Sequence, residues 1–506
     1  MRKIFEFKDL FVLDLANNHQ GSAQHATRII RACGDVVKAN HARAALKFQF
    51  RNLDTFVHAE HKQASSNKHI SRFLSTKLDP DDWRVLTEEV RAQGLLTMAT
   101  PFDEDSVDLI AELDIEVIKV ASCSATDWPL LERIADADKP VLFSTGGLTL
   151  RQIDDLVSFF DHRRVSHAMM HCVSIYPTPD EKLQLNQIDL LRRRYPDKVV
   201  GFSTHELPEN LSAVQIAVAK GARILERHVG IATGDVRLNA YSSTPEQLDA
   251  WLKAAARAKT LIGSEVRPEP VFEEVDSLNS LKRGVYARVP LRAGLAIEGT
   301  DVYFAMPCLD GQLGSGEWRS GSVTSQDLEP NDPLRRENLQ IPSDLDKQVL
   351  FTAIHTIKGM LNEARIALNT EFCAEFSHHY GLSRFPQIGA TIIDCINRRY
   401  CKKLVIQTPG QYHPCHYHKM KEETFQVLWG ALELTVDGRR KSLVPGDIQV
   451  IQQGVWHDFW SQSGVIFEEI STTHFNDDSY YEDKAINRIK RSDRKTVVNH
   501  WGRYQI

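Results

Sequence analysis

Two rhythms of apolar residues alternate through the first half of the chain. Short runs at 10–15 (LFVLDL), 44–49 (AALKFQ), 96–100 (LTMAT), 116–120 (EVIKV), 139–143 (KPVLF), 168–172 (AMMHC), 199–203 (VVGFS) and 222–226 (ARILE) read as buried strands. Between them, segments such as 104–113, 127–136, 149–160 and 209–219 carry apolar residues three and four apart, the period of a half-buried helix. Pro101 shortly before the first of these, and Thr149 at the start of the third, are ordinary helix-start signals. Eight βα units in about 250 residues predict an α/β fold, a (β/α)8 TIM barrel over 1–265, with a Rossmann-type open sheet as its rival. The polar stretch 52–90 reads as an insertion after the second strand that covers the barrel mouth.

The rhythm then changes. Pro- and Glu-rich text at 265–285 reads as a linker, and 280–340 as a small β-rich domain with many turns. A helical connector spans 344–370, because residues 350, 354, 357, 361, 364 and 368 form one apolar stripe from Asp346 to Leu368. Strand-rich text over 372–478 predicts a third, all-β domain, and 479–506 reads as a charged tail that is only partly ordered.

Composition narrows the function without naming it. With 506 residues, two to four domains are expected. A hydrophobic fraction of 42%, a charged fraction of 25% and a net charge of −6 give no electrostatic case for nucleic acid or a membrane as partner. The eight cysteines are scattered without a CxxC pair, as expected of reduced thiols in the cytoplasm. The charged N-terminus lacks the apolar core of a signal peptide, and no apolar run approaches the roughly 18 residues of a membrane span.

In a parallel barrel, active sites form where the strands deliver their C-terminal ends. Two consecutive strands here end in His205 and His228, with Ser203 and Glu226 each two residues upstream, a plausible seat for one divalent metal ion. Each histidine alone is more simply a satisfied strand end; as a pair on neighbouring strands they favour a metal. Polar residues close the other strands as well: Asp14, Asn17, Asn18 and His19 in the first, Lys47 and Gln49 in the second, and Thr100 in the third. Lys119 and Ser122 follow in the fourth, Ser144 and Thr145 in the fifth, and Ser174 and Tyr176 after the sixth. A lysine inside an apolar strand is costly unless it meets an anion. Either lysine alone could be paired with a neighbouring glutamate, but the set of two ammonium groups and several hydroxyls suits a ligand carrying phosphate and carboxylate.

The runs LKFQ, ATPFDEDSVDLI, IKVAS, DWPLLERIADADKPVLFSTGGLTL, HCVSIYPTPDEKLQL, GFSTHE and ILERH resemble, in order over 10–260, the N-acetylneuraminate (sialic acid) synthase family. The resemblance implies condensation of phosphoenolpyruvate with an aldose to a 2-keto-3-deoxy sugar acid. It implies that Lys47, Thr100, Lys119, Ser122, Ser144 and Ser203 grip phosphoenolpyruvate. His205 and His228 would hold manganese or magnesium, Glu226 would buttress the site, and Tyr176 would line it. Several positions depart from the family pattern. Asp14 stands for a glutamate, Ser124 for a second one, and Ser174 for an asparagine; after the last strand the nearest polar candidate is Asn239. These changes concentrate on the acceptor side and imply a different sugar acceptor, or an impaired barrel. The stretch 281–340 resembles the family's antifreeze-like (SAF) module, which swaps between protomers of a homodimer and supplies an arginine to the acceptor. Met306 occupies the corresponding position and Arg319 is the candidate substitute, while a simple barrel cover is the equal alternative.

The spacing Gly410-x5-His416-x-His418-x4-Glu423-x6-Gly430, followed by Gly446-x5-Gln452-x-Gly454-x2-His457, resembles both halves of the cupin motif, with Gln452 in place of a proline. Strand alternation places His416 and His418 on one face, with Glu423 and His457 returning on later strands. Three imidazoles and a carboxylate suit manganese, iron, nickel or zinc. The text FEEISTTH resembles sugar isomerases of the D-lyxose isomerase type, in which Glu469 or Glu468 would be the acid/base. His378 and His379 are either a lip of that pocket or packing at a domain junction. Together these readings imply a bifunctional carbohydrate enzyme. The alternatives are a sugar-binding protein with a degenerate barrel, or an isomerase whose barrel is a scaffold.

Overall fold

The eight apolar runs close into one parallel barrel in sequential order: β1 (Leu10–Asp14), β2 (Ala44–Phe50), β3 (Leu96–Pro101), β4 (Val117–Val120), β5 (Val141–Ser144), β6 (His167–Cys172), β7 (Val200–Ser203) and β8 (Ile224–His228). The TIM barrel is therefore correct, and the open-sheet rival is excluded because β1 pairs with β8. The structure is a computed structural model that describes residues 5–62, 67–343, 345–368 and 372–499. The chain divides into two compact units, Met1–Glu269 and Pro270–Ile506.

Period-two alternation sorts the strand residues into two environments. Phe11, Leu13, Leu46, Phe48, Ile118, Phe143, Phe202 and Leu225 face outward into the helix layer. Leu10, Val12, Ala45, Met98, Val117, Leu142, Ala168, Met170 and Ile224 fill the barrel interior as an apolar plug. Gly201 belongs to that plug: a Cβ there would lie 2.6 Å from the Ile224 carbonyl and 3.1 Å from the Met170 methyl. One pleat further on, the inward positions become polar, and these residues form the site. Helix starts follow local chemistry. The helix Leu150–His162 opens on a capping box between Thr149 and Gln152, and buries Ile153, Leu156, Val157 and Phe160.

The expected insertion 52–90 is shorter than the sequence suggests. Its last third is the helix Pro80–Ala92, opened by a capping box between Asp79 and Asp82, with Trp83, Leu86, Thr87 and Val90 buried. Its charged outer face disguised it as insertion. The remainder holds short helices at Leu53–Phe56 and Lys68–Ser75, and residues 63–66 lie outside the described residues.

In the second unit, the expected linker 265–285 contains a helix, Phe272–Ser280, with no buried residue. The strands Gly284–Ala287 and Val302–Ala305 pair antiparallel, and Ala296–Ile297, Ser322–Thr324 and Leu339–Gln340 form a three-stranded sheet. Val285, Leu291, Ile297, Val302, Leu313 and Leu334 make their small core. The connector helix spans Leu345–Glu363, so Ala364 and Leu368 lie beyond its end. Its stripe of Leu350, Ile354, Ile357 and Leu361 packs with Phe376, Ile393, Leu404 and Ile466 of the adjoining sheet.

That sheet has seven strands, ordered Ile448–Ile451, Glu423–Gly430, Val465–Thr472, Tyr400–Gln407, Ala390–Asn397, Cys373–Ser377 and Lys495–Asn499. A five-stranded sheet, Arg439–Leu443, Leu432–Val436, His457–Trp460, Tyr412–Tyr417 and Tyr480–Tyr481, completes the domain. Phe425, Val427, Leu434, Phe459 and Phe467 form a shared core. The expected partly ordered tail is therefore a correction. Through residue 499 it folds, because Thr496–Val498 alternate as a strand and pair along Cys373–Ser377. Residues 500–506 of that tail lie outside the described residues. Among the described residues no helix is long and apolar enough to cross a membrane.

Candidate active site and candidate metal centre

Parallel register sets the first site. Asp14 is level with Lys47 on β2 and with His228 on β8, while Glu226 is level with Ser203 on β7. Above the apolar plug these side chains interlock. Lys47 Nζ lies 2.6 Å from Glu226 Oε1 and 2.9 Å from Asp14 Oδ2. Lys119 Nζ lies 3.0 Å from Glu226 Oε2 and donates to Ser144 Oγ at 2.6 Å. Glu226 thus bridges both ammonium groups, one on each oxygen. The simple reading of each lysine as a glutamate's partner is realised, with a single glutamate serving both.

All four charges are almost fully buried, so each is held by the others. Burial alone would lower Lys47, but Asp14 and Glu226 raise it above the ordinary lysine value. Burial likewise works against ionised Glu226, and Lys119 and Lys47 overcome it, holding the carboxyl well below its usual range. Lys119 is lowered, since burial and the like charge of Lys47 outweigh Glu226.

His205 Nδ1 lies 3.0 Å from the Val173 carbonyl. A carbonyl only accepts, so the proton sits on Nδ1 and Nε2 is left as a lone pair. Burial first, and His228 second, lower His205 to about 3 and keep it neutral. The two imidazole centroids are 5.4 Å apart, and His228 Nε2 is 3.4 Å from Asp14 Oδ2. His228 Nδ1 and Thr100 Oγ1 are buried without a hydrogen-bond partner. Gly146 closes the wall between β4 and β6. Its N–H donates to Ser122 Oγ at 3.0 Å, and a Cβ there would fall 2.5 Å from Ser174 Oγ and 2.8 Å from Ser122 Oγ. The Tyr176 ring packs against His205 at a 48° tilt, with centroids 4.2 Å apart.

Sequence reasoning missed Tyr241, whose ring lies 5.1 Å from His228 and 5.2 Å from Tyr176. It sits in the loop after β8, where no periodicity marks it. Asn239, two residues earlier, has a buried Oδ1 without a partner. Ser124 is buried in the 3-10 turn after β4. Met306 is 54% exposed in the second unit, and Arg319 Nη1 donates to the carbonyls of Gly316 and Trp318 within its own turn.

The second site lies between the two sheets of the C-terminal domain. His416 and His457 are register partners in the five-stranded sheet, and Glu423 begins a strand of the other. One donor atom from each of His416, His418, Glu423 and His457 falls within 4.8 Å of all the others. Among the described residues no other set of three or more such donors is as compact, the barrel pair included. Each imidazole is oriented by a backbone carbonyl at Nδ1: Pro414 at 3.0 Å for His416, Asp478 at 2.7 Å for His418, and Val455 at 3.1 Å for His457. Three Nε2 lone pairs therefore converge, the arrangement in which histidines bind metals. His457 Nε2 faces Glu423 Oε1 at 2.9 Å, yet neither atom has a hydrogen-bond partner. A proton or a metal ion can join two lone pairs at that distance, and the convergence of all four donors fits a divalent metal.

Lys421 was not anticipated. Its Nζ is buried between Glu423 Oε2 at 2.5 Å and Glu469 Oε1 at 2.7 Å. Asp478 was also missed: its carboxylate accepts the backbone N–H groups of Lys419, Met420 and Lys421, fixing the turn that carries His418. Glu468 and Glu469 fall on opposite faces of one strand. Glu468 pairs with Lys402 at 2.7 Å, so only Glu469 lines the cavity beside the histidines. Of the two readings of His378 and His379, the lip is correct for His379, whose Nε2 lies 3.2 Å from His413 Nε2 in the cavity wall; His378 instead meets Thr496.

A closed parallel barrel with a charged layer at the C-terminal ends of its strands, followed by a cupin whose four clustered donors fit a metal, is the class these features define. The NeuB family profile matches residues 36–267, and the cupin domain profile matches 403–468. A crystal structure of a candidate spore coat polysaccharide biosynthesis protein E from Chromobacterium violaceum is 43% identical, with a TM-score of 0.62, and covers 66% of this chain and 100% of its own. The N-acetylneuraminate-9-phosphate synthase of Drosophila melanogaster is 29% identical over 53% of this chain and 72% of its own length. The N,N'-diacetyllegionaminic acid synthase of Legionella pneumophila is 26% identical over 57% of this chain and 81% of its own. The chain belongs to the NeuB family, with a cupin domain fused behind the family's own architecture.

Proposed function

We propose that the barrel condenses phosphoenolpyruvate with an aldose, giving a 2-keto-3-deoxy sugar acid and free phosphate. The observation that carries this reading is the buried pair Lys47 and Lys119 held by the single carboxylate Glu226. In this state the ammonium groups satisfy each other's partner; when a phosphate and a carboxylate arrive, each lysine has a donor to turn toward them. Ser144, already on Lys119, orients that ammonium. Ser122, Ser174 and Ser203, with the unpartnered hydroxyl of Thr100, supply neutral donors around the same anion. His205 and His228 would hold manganese or magnesium, which when bound polarises the acceptor's aldehyde oxygen. The C3 carbon of the enol forms the new bond to the aldehyde carbon. Water then adds at C2, and the phosphate departs with its bridging oxygen. Asp14, kept ionised by Lys47, stands where it can accept a proton from that water. Tyr176 covers His205 and limits solvent at the metal-facing side.

Phosphate release from phosphoenolpyruvate, assayed with a panel of N-acylated and non-acylated aldoses and manganese, tests the reading. Release with at least one acceptor supports it, and no release with any removes the synthase assignment.

The cupin supports a second activity on a related sugar, with manganese, iron, nickel or zinc on His416, His418, Glu423 and His457, and Glu469 as proton shuttle of an isomerase. Its support is the pairing of Glu469 with buried Lys421 next to the four donors. We further assign 280–340 to an SAF-like module that lends Arg319 to the barrel of a second copy in a domain-swapped homodimer. The helix Phe272–Ser280 exposes Phe272 and Leu278, with Leu281 just beyond it, an apolar stripe suited to such a partner. The eight unpaired cysteines accord with a cytoplasmic protein.

A further inference from the structure

The cupin cavity, about 280 Å³, has a second pole that the metal ligands do not explain. Lys403, Arg491 and Arg494 line it, and two of these come from the segment after 472, outside the matched cupin region 403–468. The other lining cations are already committed. Lys421 is bound by Glu423 and Glu469, and Lys495 pairs with Glu375 at 2.5 Å. Lys403 has only Asp394, at 3.6 Å, whose side chain is 56% exposed. Arg491 and Arg494 make no ion pair among the described residues, and Arg494 Nε is buried without a hydrogen-bond partner. The guanidinium of Arg494 is steadied instead over the Tyr481 ring at 5.4 Å.

These groups make one part of the cavity lining positive, with Asp477 as the remaining carboxylate beside Glu375, Glu423 and Glu469. His474, in the same wall, feels the cations: burial first, then Lys403, Lys421 and Arg491, lower it to about 2. Arg494 is half-buried, and its buried Nε–H is costly to leave idle unless a ligand oxygen meets it; its planar fork suits carboxylate or phosphate. The two poles therefore ask for one molecule with oxygens to meet a metal at one end and a negative group at the other. The volume suits a single monosaccharide-sized ligand.

We propose that the cupin cavity is a receptor for an anionic sugar, a polyhydroxylated compound bearing a carboxylate or a phosphate. Its hydroxyl or carbonyl oxygens meet the metal at His416, His418, Glu423 and His457, and its anion is held by Lys403, Arg491 and Arg494. The inference rests on the reading of that cluster as a metal site, and it is independent of the barrel's activity. It departs from an isomerase of neutral aldoses, for which Arg491 and Arg494, without an ion pair among the described residues, would be a liability.

Calorimetric titration of the manganese-loaded full chain with glucuronate, glucose 6-phosphate, glucose and inorganic phosphate tests this. At least one anionic sugar binds, glucose binds at least tenfold more weakly, and comparison of glucuronate with glucose 6-phosphate tells carboxylate from phosphate. In Arg491→Ala/Arg494→Ala the affinity for the anionic sugar falls at least tenfold while the manganese bound per chain is unchanged. Arg491→Gln/Arg494→Gln, which keeps the volume, shows the same loss. Repeating the titration in Lys119→Ala separates the two sites, because binding that vanishes there belongs to the barrel and overturns the proposal. So does equal affinity for glucose, failure of both anionic sugars to bind, or unchanged affinity in the arginine variants. A manganese stoichiometry that falls by one per chain in His416→Ala relative to the parent confirms the metal premise separately.

Discussion

The two sites use the same parts in opposite proportion. In the barrel, one glutamate is shared by two buried lysines, one facing each of its oxygens. In the cupin, one buried lysine is shared by two glutamates, and Glu423 turns Oε1 toward His457 and His418. The first arrangement brings ammonium groups together and offers them to an incoming anion. The second brings lone pairs together and offers them to an incoming cation. Four donors converge within 4.8 Å in the cupin, whereas the barrel histidines stand as a pair with centroids 5.4 Å apart and Asp14 beside His228. A buried ion pair is weak evidence for stability, but which of its atoms are left over shows what the site receives.

Breaking the barrel arrangement has the largest effect. Lys119→Ala removes the ammonium that Ser144 and Glu226 orient, and phosphate release falls by about 10²–10³-fold or more, the scale of losing one preorganised donor to developing charge. Metal bound at the cupin stays the same. A variant that retains activity within threefold of the parent sinks the anion-site reading. Breaking the cupin arrangement comes next. His416→Ala or Glu423→Ala lowers metal affinity by more than the roughly 10–100-fold typical of residues that merely support a ligand. Removing metal from the parent with a chelator also lowers its melting temperature: metal at about 100 times its Kd contributes about 2.7 kcal/mol. Barrel turnover in these variants, with manganese in excess, is unchanged.

Acid sharpens the comparison, because a histidine buried neutral resists protonation. His379 is lowered from 6.5 to about 3, by burial first and then by Arg494. Its folded value lies below its unfolded one, so the unfolded chain binds the extra proton. Its contribution is full above pH 6.5 and is lost progressively as the pH falls toward 3. Between pH 6.5 and 4.5 one such group costs about 2 to 3 kcal/mol. Urea denaturation of His379→Gln shows that much less acid sensitivity than the parent over this interval; identical pH dependence would remove the burial argument.

The strands and their polar ends were legible because strand alternation is a two-state code. Once β1 to β8 were located, Asp14, Lys47, Lys119, Ser144, Glu226 and His228 had to share the inner face. The cupin ligands were legible because their spacing resembles the cupin motif. What stayed hidden came from segments without a period. Tyr241 lies in a loop, and its position over His228 depends on the loop's path. Lys421 looked like one charge in the run Lys-Met-Lys-Glu-Glu, and only the turn fixed by Asp478 directs it inward. The charged text near the C-terminus imitates a solvated tail because three of its cations, Arg491, Arg494 and Lys495, line a cavity, while Val498, the residue that anchors the strand, is a single buried side chain.

The smallest predicted effect is the most local test of the cupin arrangement. Glu468 and Glu469 are neighbours on one strand, both paired with a lysine, and differ only in the face they occupy. Lys402 is 42% exposed, so its pair with Glu468 is screened by water, and Glu468→Gln changes stability by no more than about 0.5 kcal/mol. Lys421 is 3% exposed and relies on two carboxylates; in Glu469→Gln it keeps only Glu423. That carboxylate is then drawn further toward the ammonium, so Glu469→Gln lowers metal affinity several-fold and stability by about 1–3 kcal/mol, the cost of an under-satisfied buried charge. Paired metal titrations and melts of the two variants read the difference. Equal behaviour would mean that the lysine between the glutamates does not govern which oxygen of Glu423 is left for the metal.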